Sequence, residues 1–100
     1  MADKRRPFLE RVQAPVRFVS YEPALEPVNW RGWGFLSWMI AGLESGPNRR
    51  DGGLDCIMDA VGFCQFAQIP IYVKQDCAMK SGQQGRIPDN IWKIKEFPTV

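Results

Sequence analysis

The chain consists of short apolar runs separated by polar stretches that are rich in proline and glycine. Three of these runs, at residues 17–20, 36–41 and 69–73, have the length of strands. The second and third runs are almost continuously apolar, which is typical of strands that are buried on both faces of a parallel sheet. We therefore predict three short strands.

A different period marks two other segments as helices. Residues 54–68 carry apolar side chains at the helical spacing i, i+3, i+4, i+7 and i+10, and Asp55 stands in the first turn, where the helix dipole favours an acid. The apolar positions of this predicted helix are Leu54, Ile57, Met58, Val61 and Cys64. A shorter helix is predicted at residues 8–14, with Pro7 in its first turn and Pro15 ending it.

The order strand, helix, strand predicts a parallel unit with a right-handed crossover. We expect an α/β fold with a small parallel sheet of about three strands and one crossover helix. We also expect residues 1–100 to form a single domain, with an N-terminal helix or arm at 1–15, a core at 16–76 and a C-terminal cap at 77–100. Such a sheet leaves two edges unpaired, which favours self-association or a protein partner.

Polar side chains follow each predicted strand. Because the carboxyl ends of parallel strands share one edge of a sheet, these residues, including Asp76, are expected to meet on one rim. The candidate ligand-binding residues are Glu22, Glu44, Ser45, Lys74 and Gln75. A lysine among carboxylates can grip a small polar ligand such as an amino-acid group or a nucleotide ribose. A structural ion-pair network that closes the sheet edge is the alternative interpretation.

Two further features have open interpretations. Arg49 and Arg50 are candidates for contact with an anion or an acidic partner, although adjacent loop arginines are also common as solvated residues. Trp30, Trp33 and Trp38 are expected to form a hydrophobic plug rather than a base-stacking platform, because no basic stripe alternates with them.

Composition removes several functional classes. The chain is 45% apolar and 24% charged, as in ordinary globular domains, and its net charge of +2 does not argue for nucleic acid or membrane binding. It contains no histidine, the commonest general base and metal ligand. Its three cysteines show no C-x-x-C spacing, so we predict neither a disulfide framework nor a metal site. A reducing cytoplasm is the expected location.

Four ordered segments resemble a known family. RFVSYEPALEPV (17–28) resembles the pattern R-F-[LV]-S-x-E-P-L-L-G-P-[VI], and WMIAGLESGPNRR (38–50) resembles W-[VI]-I-x-G-G-E-S-G-P-x-x-R. IPIYVKQD (69–76) resembles [IV]-P-[FI]-[FY]-[FV]-K-Q-x, and GQQGRIPDNIWKIKEFP (82–98) resembles the closing segment of the same family. Together they resemble the C-terminal half of a phage and prophage protein family of unknown function, related to radical S-adenosylmethionine enzymes.

This resemblance implies the C-terminal half of a partial (β/α) barrel, with the candidate rim at the barrel mouth. It also implies a 4Fe–4S cluster and S-adenosylmethionine in the family. The C-x-x-C cluster motif is absent from these 100 residues, so no cofactor is predicted for this chain. Leu43 replaces a second glycine of the family pattern, and Asp76-Cys77 replaces an aromatic-glycine ending.

Three functional hypotheses follow. The first is a truncated phage-type relative of radical-S-adenosylmethionine-like proteins that lacks the iron–sulfur half and binds a ligand or partner without independent catalysis. The second is a small phage-encoded interaction protein, such as an inhibitor of a host defence system. The third is one half of a split or decayed gene product. All three place the protein in the cytoplasm of a bacterial host.

Overall fold

The structure is a computed structural model that describes residues 2–14, 16–50 and 52–98. Within these residues the elements follow the order α1 (Ala2–Glu10), β1 (Phe18–Tyr21), β2 (Trp38–Gly42), α2 (Leu54–Ala67), β3 (Ile71–Gln75) and α3 (Asp89–Trp92). The described strands form one sheet in the order β1-β2-β3, and both strand pairs are parallel. The predicted α/β class, the parallel sheet and the crossover helix are therefore confirmed.

The strands are displaced by one or two residues from their predicted positions. β3 begins at Ile71 because Pro70 has no N–H to donate to the neighbouring strand. Phe18 lies opposite Trp38 in the first pair, and Met39 lies opposite Ile71 in the second. The register between β2 and β3 shifts after Ala41, so that Gly42 lies opposite Gln75.

The prediction of a helix at residues 8–14 is wrong. The helix α1 spans Ala2–Glu10 and contains Pro7, whereas residues 11–14 lie after it and are exposed. Leu9 packs against the core, but residues 11–14 have no apolar face that could hold another helical turn in place. Pro15, which was expected to end the helix, lies outside the described residues.

The helix α2 matches its prediction closely. Ile57, Val61 and Cys64 are buried against the sheet as the periodicity indicated. Met58, however, is 41% exposed, and Ala60 is fully buried. The buried face of α2 is therefore rotated relative to the predicted one, and the small residue Ala60 packs in the core where Met58 was expected.

The main core lies between α2 and one face of the sheet. Met39 and Ala41 of β2 and Ile71 and Val73 of β3 are fully buried there. Since side chains alternate along a strand, the opposite face of the sheet carries Phe18, Ser20, Trp38, Ile40, Tyr72 and Lys74. We call this the open face, because most of its described side chains remain partly or largely exposed.

Two of the three central tryptophans form the predicted plug. Trp30 and Trp33 are buried, their rings are in contact at 5.7 Å between centroids, and Trp30 stacks on Phe63 of α2. Trp38 instead lies on the open face, since it occupies the opposite side of β2 from Met39. The plug therefore contains two of the three residues expected in it.

The outer edge of β3 is covered by the C-terminal segment. The N–H of Val73 donates to the carbonyl of Ile94 at 2.9 Å, and the N–H of Glu96 donates to the carbonyl of Ile71 at 3.0 Å. Tyr72 and Lys95 are paired in the antiparallel sense. The expectation of two unpaired edges is therefore wrong for β3. None of the helices in the described part of the chain is long and apolar enough to cross a membrane.

Candidate ligand-binding site

Glu22 and Lys74 meet at the carboxyl edge of the sheet. Glu22 directly follows β1, Lys74 belongs to β3, and Lys74 Nζ lies 3.4 Å from Glu22 Oε1. The hydroxyl of Ser20 donates to the same carboxylate oxygen at 3.2 Å. The lysine side chain is 56% exposed, so the pair contributes little to stability. The ammonium group of Lys74 therefore remains accessible to a ligand, whereas the Glu22 side chain is only 20% exposed.

The pair spans the middle strand because Gly42 has no side chain. A Cβ atom at this position would lie 3.0 Å from Glu22 Oε2 and 3.0 Å from the Cβ of Gln75, closer than such atoms normally approach. The glycine thus leaves room for the Glu22 side chain to cross the end of β2. As a result, the ends of β1 and β3 are linked across β2.

Gln75 adjoins this pair but is committed to other contacts. Its side-chain N–H donates to the carbonyl of Leu43 at 3.0 Å, and its side-chain oxygen accepts a hydrogen bond from Ser81 at 2.8 Å. These contacts hold the segments after β2 and β3 together. Gln75 therefore connects the two segments, because its side-chain nitrogen binds the first and its side-chain oxygen binds the second.

Glu44 is held by Arg50. The Arg50 side chain donates to Glu44 Oε2 from Nε at 2.9 Å and from Nη2 at 2.5 Å, and the Arg50 backbone N–H donates to Oε1 at 3.0 Å. These hydrogen bonds hold the pKa of Glu44 below its ordinary value of 4.5. The two residues thus close the loop between them, and each neutralises the other's charge.

Arg49 and Ser45 lie in the same loop. Arg49 donates from Nη1 to the carbonyl of Gly46 at 3.0 Å and contacts the sulfur of Met79 at 3.2 Å. Ser45 is half-buried. The candidate residues therefore form two groups in the structure, Glu22 with Lys74 and Gln75, and Glu44 with Arg50.

A shallow cavity of about 290 Å³ lies on the open face, and Lys74 forms part of its wall. The other residues lining it are Trp38, Ile40, Tyr72 and Phe97. Phe97 packs against both neighbouring rings, with centroid distances of 5.9 Å to Trp38 and 5.4 Å to Tyr72. The open face therefore changes from aromatic side chains at one end to the charges of Glu22 and Lys74 at the other.

The aromatic end is fixed by the C-terminal segment. The indole N–H of Trp38 donates to the carbonyl of Glu96 at 2.9 Å. Lys95 lies 3.9 Å from the ring centroid of Trp92 and donates to the carbonyl of Val73. Burial lowers the pKa of Lys95. These contacts hold Phe97 beside the cavity.

Asp76 has a structural role that its position at a strand end did not indicate. It is fully buried, and its carboxylate accepts backbone hydrogen bonds from Cys77, Gly85, Arg86 and Ile87. A buried carboxylate is stabilised by such a set of donors. Asp76 therefore anchors the loop at residues 85–87 instead of lining the rim. The sequence showed only an acidic residue followed by a polar, glycine-containing stretch, which does not by itself indicate this role.

The cysteines do not fit an iron–sulfur cluster. Cys64 lies in the core beside the sulfur of Met39 at 3.8 Å, and burial raises its pKa to about 12, whereas a cluster ligand must be a thiolate. Cys56 is half-buried on α2, and Cys77 lies beyond β3. Among the described residues, no three histidine, cysteine, aspartate or glutamate side chains come together as a metal-binding group.

Comparison with known proteins assigns the chain to a family. Residues 1–93 match the family described as "Protein of unknown function (DUF5131)". The chain belongs to this family. The predicted resemblance to a family of unknown function is confirmed at that level, and the DUF5131 match includes every candidate residue from Glu22 to Gln75. No curated protein and no solved structure matches this DUF5131 chain.

Proposed function

We propose that the chain is a binding domain that takes up a small polar ligand at the carboxyl edge of its sheet and does not catalyse a reaction independently. The observation that carries this proposal is the pair of Glu22 and Lys74 at the carboxyl edge, in which the exposed Lys74 also lines the open-face cavity. Polar groups that converge beside an apolar concave surface are typical of small-molecule sites.

The chemistry at the charged end and at the aromatic end of the open face indicates the kind of ligand. Glu22 can accept hydrogen bonds from an ammonium or from hydroxyl groups, and Lys74 can donate to a carboxylate. The rings of Trp38, Tyr72 and Phe97 offer contact area to an apolar or planar group. An amino acid with an apolar side chain, or a nucleoside with its ribose at the charged end, matches this arrangement.

We further propose that the domain is a phage-type relative of radical-S-adenosylmethionine-like proteins and acts in the cytoplasm of a bacterial host. The four quoted motifs support this relationship, and the parallel strand order is compatible with part of a (β/α) barrel. Because the cysteines do not fit a cluster, no cluster-dependent step is assigned to these residues.

The binding proposal is tested by calorimetric titration with the twenty amino acids and the four ribonucleosides. Lys74→Met and Glu22→Gln should each weaken binding of any compound that binds the wild type by about tenfold, the loss expected for one charge-assisted hydrogen bond. Lys80→Met is the matched control, because Lys80 is exposed and lies outside the cavity. Equal affinity of the Lys74 and Lys80 variants would contradict the proposal.

A second candidate function is that of a small phage-encoded interaction protein, such as an inhibitor of a host defence system. The observation in its favour is the exposure of large apolar side chains at the aromatic end of the open face, with Phe18 at 49% and Phe97 at 66%. Affinity capture from a bacterial lysate, repeated with Phe97→Ser, tests it. A partner that is retained by the wild type and lost by the variant would favour this function.

A further inference from the structure

A groove of about 390 Å³ adjoins β1 on the side away from β2. One wall is formed by α1, another by the loop at residues 28–33, and the floor by three consecutive residues of β1. The lining residues are Arg5, Leu9, Val19, Ser20, Tyr21, Val28, Trp30 and Trp33. The groove is thus mainly apolar, and its charged side chain is Arg5.

The backbone of β1 offers unused hydrogen-bonding groups beside this groove. The N–H of Met39 donates to the carbonyl of Pro70, so the peptide groups of Met39 face β3 and those of Ile40 face β1. Given the register of Ser20 with Ile40, the groups of residues 19 and 21 pair with β2. The N–H and carbonyl of Ser20 then face away from the sheet, and no other described segment pairs with this edge.

Two side-chain donors in the groove wall also have no acceptor. The indole N–H groups of Trp30 and Trp33 are buried and make no hydrogen bond within the described residues. A buried donor without an acceptor costs free energy, and both of these donors belong to residues that line the groove. Arg5 is exposed and takes part in none of the ion pairs of the described residues, so it favours an acidic occupant.

We propose that the outer edge of β1 binds, by strand addition, an extended segment of another protein that carries a large apolar side chain and a carboxylate. The backbone of Ser20 pairs with the segment, the wall of Trp30 and Trp33 receives the apolar side chain, and Arg5 binds the carboxylate. Among common ligands, an extended peptide is the one that offers both a donor and an acceptor in the spacing of a strand edge. The surface does not involve Lys74, but it adjoins the proposed small-ligand site through Ser20, whose hydroxyl donates to Glu22.

The probe for this proposal is an acetylated eight-residue peptide of alternating threonine and valine, with a central phenylalanine and a C-terminal aspartate. Titration followed by NMR should shift the amide signal of Ser20 more than the amide signals of residues far from the groove. Ser20→Pro removes the outward N–H without removing a donor to β2, and it should weaken binding by about tenfold. Ser20→Ala keeps the N–H and is the control for loss of the hydroxyl group.

A surface variant tests the same proposal without changing the sheet. Arg5→Glu should weaken binding of the aspartate peptide by about tenfold, because the arginine–carboxylate contact becomes a repulsion. Lys4→Glu makes the same charge change at an exposed position outside the groove lining and should leave the affinity unchanged. Lys74→Met should also leave peptide binding unchanged, which separates this result from the small-ligand proposal.

Three results would overturn the proposal. The first is no binding of the peptide by the wild type, and the second is equal binding by folded Ser20→Pro. The third is a wild-type dimer, seen by light scattering, that Ser20→Pro converts to a monomer, because the occupant would then be a second copy of the chain.

Discussion

Gly42 determines how closely the ends of the three strands approach. Its missing side chain gives Glu22 the space to reach Lys74, and its neighbours leave no room for a methyl group without local movement. A glycine inside a strand is intrinsically unfavourable, so its presence here is explained by close approach. A substitution that adds one methyl group at position 42 tests whether the approach of the strand ends depends on this glycine.

Gly42→Ala should lower the free energy of unfolding by about 1–2 kcal/mol, because the added carbon overpacks the contact with Glu22 and Gln75. It should also weaken any ligand held by Glu22 and Lys74. Gly62→Ala is the matched control, since Gly62 is exposed on α2 with nothing within 4 Å of the added carbon. That change should raise stability by about 0.5–1 kcal/mol. Urea unfolding of both variants checks the opposite signs.

The buried carboxylate of Asp76 makes a second prediction at this scale. Asp76→Asn replaces one acceptor oxygen by an amide group that faces backbone donors, so stability should fall by about 2–4 kcal/mol. Asp89→Asn keeps the acceptor of its hydrogen bond from Gln84 and should change stability by less than about 0.5 kcal/mol. Thermal unfolding compares the two variants, and equal melting temperatures would refute the anchoring role of Asp76.

At the level of elements, the end of α2 depends on a residue with an unusual backbone conformation. Gln68 follows the helix with φ = 58°, in the left-handed region. Its N–H donates to the carbonyls of Cys64 and Gln65, which end the helix in a compact turn. Glycine adopts this conformation without the steric cost that other residues incur.

Gln68→Gly should therefore stabilise the protein by up to about 1 kcal/mol. Gln65→Gly, three residues earlier in the exposed face of the helix, should destabilise it by about 1 kcal/mol. Equilibrium unfolding in guanidinium chloride distinguishes the two outcomes. A loss of stability in both variants would show that the Gln68 side chain contributes more than its backbone conformation costs.

The loop after β2 should depend on pH through Glu44. Its pKa is lower in the folded chain than in the unfolded chain, so the Arg50 contact stabilises the loop at neutral pH. This contribution is lost as the pH falls through the folded pKa. The amide signal of Arg50 should titrate with a midpoint below 4.5, and Glu44→Gln should abolish the titration. A midpoint above 4.5 would contradict the contact.

The sequence predicted the strands and the long helix because their apolar residues follow clear periods. It also placed Glu22 and Lys74 on one edge, since parallel strands end on the same side. It did not predict that Arg50 would bind Glu44 or that Asp76 would turn inward, because these outcomes depend on loop geometry. The covering of β3 by residues 94–96 was missed for a related reason: three residues carry no recognisable strand period.

At the scale of the whole molecule, the core shields Cys64 more completely than the other thiol of α2. Cys64 is fully buried and its pKa is raised to about 12, whereas Cys56 is half-buried. In the native protein at pH 8, iodoacetamide should therefore label Cys56 well before Cys64. Mass spectrometry over time measures both rates. Labelling of Cys64 as fast as in urea would show that the core opens without global unfolding.

The placement of tryptophans on both sides of the sheet gives each side its own optical reporter. Trp30 and Trp33 lie in the buried plug, whereas Trp38 adjoins the exposed Phe97. Emission from the buried pair should be blue-shifted and insensitive to iodide, and emission from Trp38 should be quenched. Single-tryptophan variants would therefore allow loosening of the plug and release of the C-terminal segment to be followed separately in one unfolding experiment.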